Sequence, residues 1–275
     1  GSSLPSFASV KIFRVFKMVT ASIVSHGHGP MVPLLVEDLL ACPEIIKIVV
    51  TQNSAETMEL PLSDRVALRR NPRPKGYGAN QNAAFATATT PFFCVLNPDM
   101  RLKGNPFSDL LAGFHEDRIA VLGPKILSPD GEEEDSARKF PTVGGLLAKL
   151  AGINDGTYPC SHGKAVFNPD WLAGMMLLVR SETFRSIGGF DEKFFLYYED
   201  VDLCARLRML GHEIRQERSV EAIHDARRQS RRNPRFTCWH LASMTRYLLK
   251  NYARNYSAHR ASTTEQSRSK FGEGG

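Results

Sequence analysis

Apolar positions along the chain gather in short, dense runs separated by polar turns. Residues 19–25 (Val-Thr-Ala-Ser-Ile-Val-Ser), 45–50 (Ile-Ile-Lys-Ile-Val-Val), 92–96 (Phe-Phe-Cys-Val-Leu) and 175–179 (Met-Met-Leu-Leu-Val) are the clearest. Near-continuous runs of this length predict strands covered on both faces. Val66-Ala67-Leu68 is a weaker strand candidate. Residues 31–41 carry a helical period, and Ala79 to Ala88 is an Ala-rich, helix-like stretch. Strands alternating with helices predict an α/β fold with a mostly parallel central sheet flanked by helices. Farther on, Ser181 is a candidate N-cap. Tyr198 to Leu210 predicts an amphipathic helix with Val201, Leu203, Cys204, Leu207 and Leu210 near one face, stopped by Gly211. Residues 141–170 show no clear period.

Composition narrows the class. The chain has 275 residues, of which 42% are hydrophobic and 23% charged. That is a globular composition and excludes collagen-like, low-complexity and wholly disordered chains. The net charge is a mild +6, which permits an anionic partner without selecting one. The excess lies late: residues 206–260 hold 13 Lys and Arg against four Asp and Glu. The five cysteines are scattered with no CxxC pair, which argues against a disulfide framework or a thiolate zinc site and for a reducing compartment. No apolar run approaches the roughly 20 residues a membrane-spanning helix needs. No Walker lysine-serine pair is present, which argues against a P-loop ATPase, and no RNA- or DNA-module pattern appears, so no nucleic-acid partner is expected. Residues 1–17 open Gly-Ser-Ser and are expected to be an added, flexible leader before Met18.

Several segments at the carboxyl ends of the expected strands are candidates for chemistry, because open α/β sheets bind ligands there. They are His26-Gly27-His28-Gly29, Gln52-Asn53-Ser54 and Asn97-Pro98-Asp99. Asp99, at the tip of a buried strand, suits a hard divalent cation; the plainer alternative is a turn cap. Lys75-Gly76-Tyr77-Gly78 enters the Ala-rich helix, where glycines and a helix N-terminus suit a phosphate; the alternative is a tight turn. Glu199 and Asp200 begin a helix beside Phe194–Tyr198. They read either as dipole-favoured helix-start carboxylates or as a general base among aromatic walls. His224 is a structural histidine or a second ligand to the cation at Asp99. The arginines at 227, 228, 231, 232 and 235, with Trp239, Tyr247, Tyr252 and Tyr256, form a solvated surface or one that faces lipid or diphosphate. The acidic run 132–135 reads as a solvated loop.

In this order the segments resemble family 2 glycosyltransferases of the GT-A, Rossmann-like fold. The resemblance rests on Ser22 to His28, on Gly76-Tyr77-Gly78-Ala79-Asn80-Gln81-Asn82, on Leu96-Asn97-Pro98-Asp99, and most specifically on the run from Gly188 to Leu203. It covers about residues 19 to 255. Arg138–Pro141, Asp170–Gly174 and Trp239–Tyr247 carry a closer likeness to bacterial rhamnosyltransferases that build O-antigen or other cell-wall polysaccharide.

The resemblance implies a single domain, 18–255, with a nucleotide-binding half (18–102), an acceptor-binding half (103–255) with a helical C-terminal part, and a flexible tail (256–275). It implies Asp200 as catalytic base with Glu199 as second choice, and Asp99 with His224 on Mg2+ or Mn2+. It puts Ser25, His26, Gly27, Gln52, Asn53, Lys75, Gly76, Tyr77, Gly78, Asn82, Asn97, Arg228 and Arg231 on the nucleotide sugar. It puts Trp171, Gly174, Asp191, Glu192 and Tyr198 on the acceptor. Such enzymes use dTDP-L-rhamnose and a polyprenyl-diphosphate-linked saccharide at the cytoplasmic face of the bacterial cell membrane, as peripheral proteins. Two positions depart from the pattern. Gln52 stands where the family usually has Asp, and Asn97 replaces the first acid of its DxD motif, which leaves Asp99 as the chief carboxylate. The rival readings are transfer from a UDP- or GDP-linked sugar and a non-catalytic nucleotide-sugar-binding module.

Overall fold

The structure is a computed structural model that describes residues 19–150, 165–225 and 234–271. The leader 1–17 and the expected diphosphate ligands Arg228 and Arg231 lie outside the described residues. The first half runs β1 (Val19–Ser25), α1 (Met31–Leu40), β2 (Ile45–Gln52), β3 (Val66–Arg70), α2 (Tyr77–Phe85) and β4 (Phe92–Leu96). Every residue of β1 and β4 is buried, as continuous apolar runs require. α1 buries Val32, Leu35, Val36 and Leu39 on one face, the three-to-four spacing of an amphipathic helix. β3, β2, β1 and β4 are neighbours in that order and all parallel.

The second half adds β5 (Met100–Leu102), α3 (Phe107–Ala112), β6 (Ile119–Leu127), β7 (Ala137–Arg138), α4 (Val143–Leu150), β8 (Val166–Phe167) and β9 (Trp171–Leu172). It ends with β10 (Met176–Arg180), α5 (Ser181–Ser186), α6 (Glu199–Met209), β11 (Glu213–His224) and α7 (Pro234–Phe271). The sheet continues β4-β10-β6-β11-β5, with β8 also on β11. Here it is mixed: β10 is antiparallel to β4 and β6, while β11 is parallel to β6 and antiparallel to β5. The reversal begins at the tip of β4, where the Asn97 N–H donates to the Met175 carbonyl at 2.9 Å. The chain therefore enters β10 beside the carboxyl end of β4 and runs back along it.

Two apolar clusters cover the sheet and a third joins α6 to α7. Tyr247 is fully buried in that third cluster with Phe194, Tyr198, Val201 and Ala205. It is a packing residue, not a lipid-facing one, whereas Tyr252 is exposed. α7 carries helical backbone to Phe271, through most of the segment expected as a tail. Ser181 is the first residue of α5, not its cap, and Arg180 takes the cap position. α6 stops where expected, with Gly211 at φ +82°, a conformation glycine adopts without cost.

Asp202 fastens α6 to its surroundings. Its carboxylate is wholly buried and accepts from Arg206 Nε at 2.8 Å and faces Lys250 Nζ of α7 at 2.7 Å. Arg206 also donates to the Ile187 and Gly189 carbonyls. Removing one member of such a buried set leaves the others uncompensated. Asp202→Ala is expected to cost roughly 3–5 kcal/mol of unfolding free energy, read by urea denaturation. A loss under about 1 kcal/mol, the range of surface ion pairs, would show that this set does not anchor the helix.

Candidate active site

α6 begins at two adjacent carboxylates set up by an unusual turn. Tyr197 and Tyr198 both have left-handed backbones, φ 69° and 65°, a conformation that costs of order 1–3 kcal/mol for a bulky residue. Their rings hold it: both stand edge-on to His240 of α7, at 5.4 and 5.3 Å. The turn aims Asp200 at the loop before β10, where its Oδ2 accepts from the Gly174 N–H at 2.8 Å and its Oδ1 from the Val201 N–H at 2.8 Å.

Burial raises the Asp200 pKa, opposed by those two backbone donors and by the Arg138 charge. Glu199 is raised well above its ordinary value, first by burial and then by the Asp200 charge. Its Oε2 is buried with no hydrogen-bond partner among the described residues. The environments thus separate the pair. At Asp200 two backbone donors and Arg138 oppose the rise, while at Glu199 the Asp200 charge adds to it.

The carboxylates line a cavity of about 840 Å³ whose walls include Tyr77, Asn97, Arg138, Trp171, Gly174, Tyr198 and His240. Of the expected acceptor residues, Trp171, Gly174 and Tyr198 therefore stand with Asp200. Asp191 and Glu192 do not. Asp191 is drawn to Lys250 Nζ at 2.5 Å and lines a second depression. Glu192 is exposed and accepts from Asn82 Nδ2 at 3.0 Å. A cation from α7 and an amide from α2, both distant in sequence, decide those two positions.

Asn97 connects this cavity to Asp99. Tyr77 Oη donates to Asn97 Oδ1 at 3.0 Å, and the Tyr77 pKa is raised by burial and by the charges of Glu199, Asp200 and Asp99 together. Asp99 lies at the next turn, not on the cavity wall. Its Oδ1 is buried, accepts no hydrogen bond among the described residues and faces His224 Nε2 at 3.4 Å. His224 Nδ1 meets Glu134 Oε2 at 2.7 Å. Burial opposes the imidazolium, but Asp99 and Glu134 outweigh it and bring the His224 pKa up to about 9. Among the described residues no three His, Cys, Asp or Glu side chains form a complete metal cage. One carboxylate with an unpartnered oxygen and one imidazole are nonetheless the partial donor set of a cation whose other ligands are phosphates and water.

The expected nucleotide residues fall into two groups. Ser25, His26, Gln52, Asn53 and Lys75 converge where β1 and β2 end side by side. Asn53 bridges them: it accepts from the Lys75 N–H at 2.8 Å, donates to the Lys75 carbonyl at 2.9 Å and approaches His26 Nδ1 at 3.4 Å. The exposed Gly27, at φ +81°, turns the chain here. Ser25 is buried and donates its hydroxyl to Glu56, which also receives the Gly29 N–H. Gln52 Nε2 donates to the Glu56 carbonyl, leaving its oxygen as the acceptor a base would need.

The second group serves the protein itself. A Cβ on Gly78 would stand 2.8 Å from Phe190 Cβ, and one on Gly76 3.0 Å from the Phe195 carbonyl. These glycines leave room for the 190–195 loop. Asn82 accepts from the Phe190 N–H and donates to its carbonyl, both at 2.9 Å. Asn82, Gly76 and Gly78, expected on the nucleotide sugar, thus have packing contacts to the 190–195 loop. Sequence reasoning missed Glu56 and Glu134. Glu134 sits in the run expected to be solvated, yet Glu133, Glu134 and Asp135 contact Arg218, His224 and Arg138. Only Arg138, three residues after Asp135, is local; Arg218 and His224 are 85 and 90 residues from their partners.

Comparison with known proteins agrees with this architecture. Residues 43–172 match the profile described as glycosyl transferase family 2. The chain is 31% identical over 245 residues to the rhamnosyltransferase WbbL of Escherichia coli, covering 84% of this chain and 92% of that protein. It is 35% identical over 149 residues to the N-acetylglucosaminyl-diphospho-decaprenol L-rhamnosyltransferase of Mycobacterium tuberculosis, covering 51% of this chain and 48% of that one. The fold is similar to that of GalNAc-T7, solved with UDP, GalNAc and Mn2+, at a TM-score of 0.60 and 15% identity, over 77% of this chain and 44% of that one. With a relative of more than 30% identity along most of its length and the site built as described, this chain belongs to glycosyl transferase family 2.

Proposed function

We propose that the chain is an inverting rhamnosyltransferase, moving L-rhamnose from dTDP-β-L-rhamnose to a polyprenyl-diphosphate-linked saccharide. It would act in bacterial surface polysaccharide synthesis, as a peripheral protein on the cytoplasmic membrane face. The observation that carries the reaction class is Asp200: a charged, backbone-oriented carboxylate inside an aromatic-walled cavity, reached from the sheet edge through Asn97 and Tyr77. The similarity to two rhamnosyltransferases, one named for a diphospho-decaprenol acceptor, supports the donor and acceptor classes. No helix among the described residues is long and apolar enough to cross a membrane, so a peripheral attachment fits.

In this mechanism the nucleotide lies over the ends of β1 and β2, against His26, Gln52, Asn53 and Lys75. Asp99 and His224 would hold Mg2+ or Mn2+, which when bound neutralises charge on the leaving diphosphate. Arg228 and Arg231 are assigned to the same diphosphate. Trp171, Gly174 and Tyr198 orient the acceptor. Asp200 accepts the proton of the attacking hydroxyl, and a single displacement from the opposite face inverts the anomeric carbon. Glu199, protonated behind it, keeps a second negative charge out of the cavity.

Asp200→Asn is expected to lower turnover by roughly 10²- to 10⁴-fold in a sugar-transfer assay while dTDP affinity stays unchanged. Turnover at the wild-type level would remove Asp200 from the mechanism. A base works only ionised, so the wild-type rate should fall with decreasing pH along a limb that lies above about 3.9, the ordinary aspartate value, with apparent values belonging to the coupled pair. A rate flat down to pH 4 would contradict the raised pKa.

The donor is tested by thermal shift against dTDP-, UDP- and GDP-linked sugars, with and without Mn2+, since a ligand of the folded state raises apparent stability. The largest metal-dependent shift should come from dTDP-L-rhamnose and vanish in Asp99→Ala. A larger shift from a UDP or GDP sugar would overturn the donor. Binding without turnover in the wild type would favour the non-catalytic reading.

A further inference from the structure

The acidic run 132–135 is bound into the fold at its base and at its side chains. The Glu134 N–H donates to the Ile126 carbonyl of β6, and the Ser136 N–H to the Glu134 carbonyl, both at 2.9 Å. Glu133 receives both terminal nitrogens of Arg218, at 2.7 and 2.8 Å. Residues 133 and 134 therefore have fixed backbone positions at the end of β6, one strand away from β5 across β11.

His224 is fixed from the other side. It ends β11 opposite Met100 of β5, and the next N–H, that of Asp225, donates to the Asp99 carbonyl at 2.8 Å. Backbone bonds thus place the Cα of His224 beside the Asp99 turn, but they leave the ring to choose its own rotation. The ring nitrogens are distinct, and which one is turned to a partner is set by what the other one bonds. Here Nδ1 meets Glu134 Oε2 at 2.7 Å and Nε2 faces Asp99 Oδ1 at 3.4 Å. Both side chains are largely buried, so water is a poor substitute for the carboxylate.

We infer that Glu134 is a positioning residue: by accepting the Nδ1 proton of His224 it holds the imidazole with Nε2 turned toward Asp99, where a divalent cation would be ligated. The inference rests on the proposed Asp99–His224 cation site. It adds that the site has a third member, contributed by the loop between β6 and β7, that touches neither cation nor sugar. Without Glu134 the ring can turn and Nε2 is no longer presented. Loss of such an outer hydrogen bond to a ligating histidine typically costs roughly 10- to 100-fold in metal affinity.

The test titrates Mn2+ into the full-length chain with dTDP present and follows free Mn2+ by electron paramagnetic resonance, with no sugar transfer involved. Wild type, His224→Ala, Glu134→Ala and Glu134→Gln are compared, each checked for folding by circular dichroism. Glu134→Ala is expected to bind Mn2+ roughly 10- to 100-fold more weakly. Glu134→Gln, whose amide oxygen still accepts from Nδ1, should recover part of that loss. Wild-type affinity in Glu134→Ala, beside a clear loss in His224→Ala, would overturn the role of Glu134 alone. If Glu134→Ala does not fold, Glu134→Gln decides: an affinity as low as that of His224→Ala would refute positioning by a neutral acceptor. Wild-type affinity in His224→Ala would instead remove the cation site on which the inference stands.

Discussion

A carboxylate taken out of water must be given hydrogen bonds or lose its charge, and the site is arranged around that constraint at Asp200. Two backbone N–H groups, from Gly174 and Val201, reach its two oxygens. Gly174 comes from the loop that starts β10, the strand that runs back beside β4. The bond therefore ties the start of α6 to the reversed strand of the sheet. If β10 joined elsewhere, the donor would be missing and burial would raise the Asp200 pKa with less to oppose it. The reversal of the sheet and the hydrogen bonding of Asp200 are two consequences of one placement.

The same economy explains the strained tyrosines. Left-handed backbone at two bulky residues persists only where the surroundings impose it. His240 packs against both rings, and Tyr247 stacks on Tyr198 at 5.7 Å. Both supports lie on α7, which is fastened to α6 through Lys250 and Asp202. A helix near the end of the chain thus sets the backbone angle just before Glu199 and Asp200. α2 contributes from the opposite side: its glycines at 76 and 78 leave room for the 190–195 loop, and Asn82 pins that loop at Phe190.

Much of this was legible in the sequence. The buried strands β1, β2 and β4 follow directly from continuous apolar runs, and α6 from its period and its stop at Gly211. Asp200, Trp171, Gly174 and Tyr198 do meet in one cavity, and Asp99 meets His224. The contacts that were not legible share a cause. Glycine signals that something comes close, and at positions 76 and 78 that something is the chain itself. Asp191 and Glu192 sit a few residues from Glu199 and Asp200, but their side chains contact Lys250 and Asn82. Which partner a polar side chain finds is a property of packing between distant elements, and a linear pattern does not encode it.

The acidic run makes the point most sharply. Four consecutive acids read as a loop that repels itself and stays in water. In the fold, Glu133 faces Arg218 of β11, Glu134 faces His224 at the same strand's end, and Asp135 faces Arg138 on the cavity wall. Arg138 is three residues along the same segment, but Arg218 and His224 lie on β11 and reach the loop only when β11 pairs with β6. The charge density that looks like a reason for exposure becomes, once that pairing forms, the reason the loop is held down. It also joins the two ends of the site, since neighbouring residues of one short segment touch the histidine beside Asp99 and the arginine whose charge favours ionised Asp200. A family resemblance that assigns roles motif by motif passes over such a segment, because its contribution lies in what it holds and not in what it presents.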